Sequence, residues 1–127
     1  MLNQLCKELQ DFEENIDVTE ELRSFLKKIR HTIWLDGGHS GTKNSWITKE
    51  EIISLIKSLN WSCYVYVTPY QIKSPKYWAV EEYNKFVELL KSLNVNMKHV
   101  YYFEEKEEDF DVEIHFEILK VFDSFLI

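Results

Sequence analysis

Apolar residues recur along this chain first at helical and then at strand spacing. Leu2, Leu5, Cys6, Leu9 and Phe12 lie three or four residues apart and predict an amphipathic opening helix. Val18, Leu22, Phe25, Leu26 and Ile29 repeat the pattern, with Asp17 or Thr19 as N-cap. At His31 the period shortens. His31-Thr32-Ile33-Trp34-Leu35-Asp36 is a short apolar run stopped by Gly37-Gly38, which predicts a strand ending in a turn. Thr48, with Glu51 three residues on, has the spacing of a capping box, and Ile52, Ile53, Ile56 and Leu59 continue as a helix. Cys63-Tyr64-Val65-Tyr66-Val67 is β-branched and aromatic on both faces before Pro69 halts it, the pattern of a strand buried on both sides. Tyr83, Phe86, Val87, Leu90 and Leu93 predict another helix, and Lys98 to Phe103 a further strand. Ile118, Leu119, Phe122, Phe125 and Leu126 predict a closing helix opened by His115.

The order is α-α-β-α-β-α-β-α. Strands alternating with helices imply crossover connections, hence an α/β fold with a parallel sheet of about three strands and flanking helices. Three two-sided strands are few for such a sheet, so one edge is expected to be apolar and bare. Residues 1–127 therefore look like part of a larger domain.

Composition narrows the function classes. Hydrophobic residues make up 45% and charged residues 29% of the chain, which excludes a disordered tail, and no apolar run is long enough for a membrane span. The net charge of −7 disfavours nonspecific nucleic-acid binding, which needs a basic stripe. Cys6 and Cys63 sit in apolar surroundings without a CxxC spacing and read as buried thiols.

In open α/β sheets the chemistry gathers beyond the carboxyl ends of the strands. Asp36-Gly37-Gly38-His39-Ser40-Gly41 follows the first strand, Thr68-Pro69-Tyr70-Gln71 the second, and an acidic loop running to His115 the third. Gly38-His39-Ser40-Gly41 falls short of a G-x-S-x-G nucleophile elbow because Thr42 replaces the last glycine, so Ser40 reads as a turn residue. A zinc-amidase-like arrangement would use His39 and either Glu50 or Glu51, but the third ligand, a histidine in a small-residue strand, is not reproduced. His99 lies among bulky residues instead. No cofactor is implied. The run Glu104 to Glu113, seven acids and one lysine, reads as a solvated loop.

His115, after the last strand, stands where an α/β-hydrolase carries its general base. The loop Thr68 to Lys76 holds no acid, which leaves Asp36 as the strand-end carboxylate available to orient it. The competing readings are a helix-start histidine and an aspartate folded back onto the Gly37-Gly38 turn. Gly37, Gly38, His39, Tyr70 and Gln71 are expected to line the pocket, with Trp78 near its mouth.

The segments Trp34-Leu35-Asp36-Gly37-Gly38-His39-Ser40-Gly41, Val67-Thr68-Pro69-Tyr70-Gln71 and His115-Phe116 resemble, in order and spacing, the C-terminal third of the chromosome 2 open reading frame 69 family. That family is α/β-hydrolase-like and mitochondrially targeted. Ile114 departs from its pattern, which has Asn before His-Phe. The resemblance runs from Leu2 to about Phe122. It implies a G-F-S-K-G elbow just upstream of a helix similar to Leu2-Asn3-Gln4-Leu5, so that Met1 falls just after the nucleophile. The expectation is a C-terminal fragment of a mitochondrial esterase- or lipase-like protein, with His115 and Asp36 in catalytic roles and an unidentified acyl substrate. The fragment by itself is expected to be inactive. The alternatives are a noncatalytic module that binds a partner protein and, more remotely, a zinc amidase.

Overall fold

The computed structural model describes residues 20–37, 46–106 and 112–122. The predicted opening helix, Cys6, Gly38, His39 and Ser40 lie outside them. Three strands form one sheet: β1 (His31–Leu35), β2 (Ser62–Val67) and β3 (Met97–Tyr101), in the spatial order β1-β2-β3. Both pairings are parallel, with Thr32 opposite Cys63 and Val65 opposite His99. Parallel neighbours require crossovers. Helix α1 (Glu20–Lys28) precedes β1, α2 (Glu50–Ser58) links β1 to β2, and a short α3 (Pro69–Ile72) and long α4 (Tyr77–Ser92) link β2 to β3. Helix α5 (Val112–Phe122) follows β3 and packs against α3. The architecture is the α/β fold expected from the alternation of periods.

Strand β2 is central and buries Cys63, Val65, Tyr66 and Val67. Cys63, Val65 and Val67, one pleat face by alternation, join a core with Trp34, Ile52, Ile53 and Ile56 and with Phe86, Val87 and Leu90 of α4. Burial pushes the Cys63 thiol above its ordinary value, and Thr32 Oγ1 donates to Sγ at 3.5 Å. Helix α1 is docked by Leu26, whose side chain is in the core and whose carbonyl accepts from Trp61 Nε1 at 3.3 Å. Among the described residues β1 and β3 are the two edges.

The same four residues, Lys-Ser-Leu-Asn, end both α2 and α4. Asn60 and Asn94 take positive φ of 57° and 54°. Asn60 N–H reaches Lys57 O while Trp61 N–H reaches Ile56 O. Asn94 N–H reaches Lys91 O while Val95 N–H reaches Leu90 O. These are Schellman closures, with asparagine tolerating the left-handed position. Ser58 and Ser92 bond the carbonyls of Leu55 and Leu89 one turn back. Each closure sends the chain directly into a strand.

Several expectations need correction at their boundaries. The Thr48–Glu51 capping box does not form: Thr48 and Ile47 are buried within a 3-10 turn (Trp46–Thr48), and Lys49 takes the N-cap position without a side-chain bond. Burial drew the threonine inward. Helix α4 starts at Tyr77, well before Tyr83, because Pro75 ends the preceding segment. Strand β3 stops at Tyr101, although Tyr102 N–H still bonds Val67 O, and Phe103 leaves the sheet at a φ of 60°. For a bulky side chain that conformation is strained. His115 does not open the last helix but lies in its first turn, behind Val112.

Candidate functional site

Asp36 follows β1 directly, and its N–H continues the ladder to Tyr66 O at 3.0 Å. The residue then turns with a φ of 46°, a left-handed conformation that Asp adopts more readily than most residues. Gly37 follows because a Cβ there would meet Trp34 Cδ1 at 3.0 Å. The turn points the Asp36 side chain across to the carboxyl end of β2. Register makes this contact possible, since Leu35 pairs with Tyr66 and so places Asp36 beside Val67 and just short of Thr68.

The Asp36 carboxylate is fully buried and receives three hydrogen bonds. Thr68 N–H donates to Oδ1 at 2.7 Å, and Thr68 Oγ1 donates to Oδ2 at 2.6 Å. His115 Nδ1 meets the same Oδ2 at 2.9 Å. The rival geometry, an aspartate folded back onto its own glycine turn, is not adopted. A carboxylate only accepts, so Nδ1 carries a proton, and in the neutral imidazole Nε2 is then the nitrogen with the lone pair. Among the described residues Nε2 has no partner, and the His115 side chain is 25% exposed. The imidazole is thus anchored at Nδ1 and only partly buried.

Two rings flank it. The Tyr70 centroid lies 5.1 Å from the imidazole at an interplanar angle of 35°, and the Phe116 centroid 5.2 Å away at 62°. Tyr70 is placed by α3, where Thr68 is the N-cap and accepts from Tyr70 N–H at 3.3 Å, and Pro69 occupies the first turn. Pro favours that position because its missing N–H is not needed there. Helix α5 brings His115 in on the same turn as buried Ile114, with Ile118 buried one turn on. Phe116 and Val112 are exposed beside it.

The remaining pocket residues divide. Gly37 and Gln71 line a small, half-open space with Trp34, Ile47, Val65, Tyr83 and Phe86, with room for about one water. Gln71 Oε1 is buried and unpartnered among the described residues. Gly38 and His39 lie outside the described residues. Trp78 is half-buried on α4, with Lys76 Nζ 5.7 Å from its ring centroid.

His99 is not near Asp36. It contacts the Tyr83 hydroxyl through Nε2 beside an open groove lined also by Asn84, Glu88 and Lys91. Burial holds the His99 imidazole low, and burial pushes the Tyr83 hydroxyl up to about 12. Among the described residues no three His, Cys, Asp or Glu side chains cluster closely enough to hold a metal. No helix among them is long and apolar enough to cross a membrane.

Sequence reasoning assigned no role to Thr68. Its signal was present in Thr68-Pro69, an N-cap followed by an N1 proline placed directly after a strand.

Comparison with known proteins adds the lineage. The C2orf69 family model matches residues 1–96, which include Asp36 and Thr68 but stop short of His115. Mitochondrial protein C2orf69 homolog of Mus musculus is 36% identical over 125 residues, covering 96% of this chain and 32% of the relative. Mitochondrial protein C2orf69 of Homo sapiens is 36% identical over 125 residues, covering 96% and 30%. The Danio rerio homolog is 29% identical over 123 residues, covering 96% and 34%. The chain spans about a third of the length of these curated relatives. No solved structure matches it. The relatives' names support a mitochondrial localisation. With three quarters of its residues inside the family match and 96% of its length aligned to mammalian relatives, this chain belongs to the C2orf69 family.

Proposed function

We propose that this chain supplies the acid and the general base of an α/β-hydrolase-like protein of the esterase or lipase type. In this reading His115 Nε2 removes the proton of a serine hydroxyl as its oxygen attacks an acyl carbonyl carbon. The same nitrogen then returns that proton to the departing alcohol, and water releases the acyl group in the reverse order. Asp36 holds the Nδ1 proton and stabilises the imidazolium that forms. The serine belongs to a part of the family's length that these 127 residues do not span, and residues 1–127 form the part of the domain that follows the elbow. The chain alone then has no esterase turnover. Gly37, Gly38, His39, Tyr70 and Gln71 surround the mouth in this reading.

The observation that carries the proposal is the 2.9 Å bond from His115 Nδ1 to a buried carboxylate, in a part-exposed imidazole at the carboxyl end of a parallel sheet. An aspartate ending one strand and a histidine following another are the two supports a hydrolase base requires.

The test uses the full-length human relative. A fluorophosphonate probe should label one serine, and the protein should turn over acyl esters. The substitution corresponding to His115→Ala, and that corresponding to Asp36→Asn, should each reduce turnover by roughly three to four orders of magnitude while the protein stays folded. A folded full-length protein with neither labelling nor turnover defeats the hydrolase reading and leaves a noncatalytic module that binds a partner protein.

A further inference from the structure

We propose that Thr68 is the positioning residue of the Asp36–His115 pair, fixing the plane of the carboxylate so that one chosen oxygen holds the imidazole. This inference rests on the acid–base reading above. The last torsion of an aspartate is broad and roughly two-fold, so a carboxylate held at one oxygen can rotate. Thr68 removes that freedom by gripping both oxygens, with its N–H at Oδ1 and its hydroxyl at Oδ2. The oxygen held by the hydroxyl is the one that meets His115 Nδ1.

Thr68 is itself immobilised. It is fully buried, its β-branched side chain has few χ1 choices, and Pro69 restricts its backbone to the extended region. Capping α3 requires only that the hydroxyl accept from Tyr70 N–H. The proton it gives to Asp36 serves no helical purpose. Through that cap, Thr68 is also tied to Tyr70, whose ring lies against the imidazole. One segment at the end of β2 thereby orients the acid at one end of the pair and packs on the base at the other.

The experiment compares Thr68→Val and Thr68→Ser in the 127-residue chain by two-bond proton–nitrogen NMR of the His115 ring. Valine keeps the shape and the N–H but loses the hydroxyl; serine keeps both. The wild type should hold neutral His115 as the Nδ1–H tautomer, with a slowly exchanging downfield proton. Thr68→Val should shift the tautomer ratio roughly tenfold towards Nε2–H, the scale of one hydrogen bond to a charged group, and Thr68→Ser should restore it. A folded Thr68→Val chain with an unchanged tautomer overturns the proposal, since a purely structural threonine would alter stability alone. If Thr68→Val does not fold, the wild-type hydroxyl decides: slow exchange and a correlation to Asp36 support the role, and rapid exchange overturns it. A full-length relative without ester turnover, alongside an intact NMR response, removes the hydrolase reading and leaves the role of Thr68 standing.

Discussion

Replacing Asp36 by asparagine and by alanine should separate the geometry of the site from its stability. In the wild type three donors converge on a carboxylate with no exposure. Asparagine keeps an oxygen for Thr68 N–H. Its amide nitrogen replaces Oδ2, so the Thr68 hydroxyl must rotate to accept and His115 Nδ1 must give up its proton. Three contacts survive as neutral ones. A neutral hydrogen bond is worth about 1 kcal/mol less than a charge-assisted one, but burying an amide costs less than burying a carboxylate, so the net loss should be about 1–2 kcal/mol. Alanine is different. It leaves the buried Thr68 N–H and hydroxyl without their acceptor at about 1–3 kcal/mol each. It also places a residue poorly suited to φ of 46° in the left-handed region, for about 1 kcal/mol more. The expected loss is therefore about 3–7 kcal/mol for Asp36→Ala. Urea unfolding followed by circular dichroism measures both, with a surface variant such as Glu117→Ala as reference. NMR of His115 should show the Nδ1–H tautomer replaced by Nε2–H in Asp36→Asn. Equal destabilisation by the two variants, or an Asp36→Asn chain that keeps Nδ1–H, would refute the three-donor account.

Leu90 is fully buried in the core with no polar atom to satisfy, so Leu90→Ala should cost about 2–5 kcal/mol by chemical denaturation. A loss below 1 kcal/mol would mean that α4 is not packed on β2 as described. The pH dependence of stability should carry the sign of His99. Burial, with Lys91 as the second cause, lowers its folded value below 6.5, so the unfolded chain takes up that proton first. The contribution is present above 6.5 and is lost as the pH falls from 6.5 towards the lower folded value; His99→Gln should flatten that stretch of the curve. Tyr83 acts at the other end. Burial raises it from 10.0 to about 12, so its contribution is lost as the pH rises through that interval, and Tyr83→Phe should remove this alkaline loss.

Local periodicity carried much of this fold. The shift from helical to strand spacing at His31, Cys63 and Lys98 marked the three strands of the described residues, most plainly β2, where burial in the centre of the sheet leaves an apolar run that short-range pattern can register. The alternation of elements then dictated parallel pairing, since a helix between two strands leaves little room for a hairpin. Asp36 and His115 were also legible, as the acid that ends a strand and the histidine that follows another. What linear pattern could not reach was anything fixed by contact across the sheet. The Thr48–Glu51 spacing matched a cap, yet burial of Thr48 overrode it. Thr68 stood in the segment after the second strand with no role of its own, and only the parallel register of β1 on β2 aimed it at both oxygens of Asp36. The imidazole tautomer depends on a bond between residues 79 positions apart. Periodicity reports which face of an element is buried, whereas the direction of a single hydrogen bond depends on where other elements come to rest, and that only tertiary packing decides.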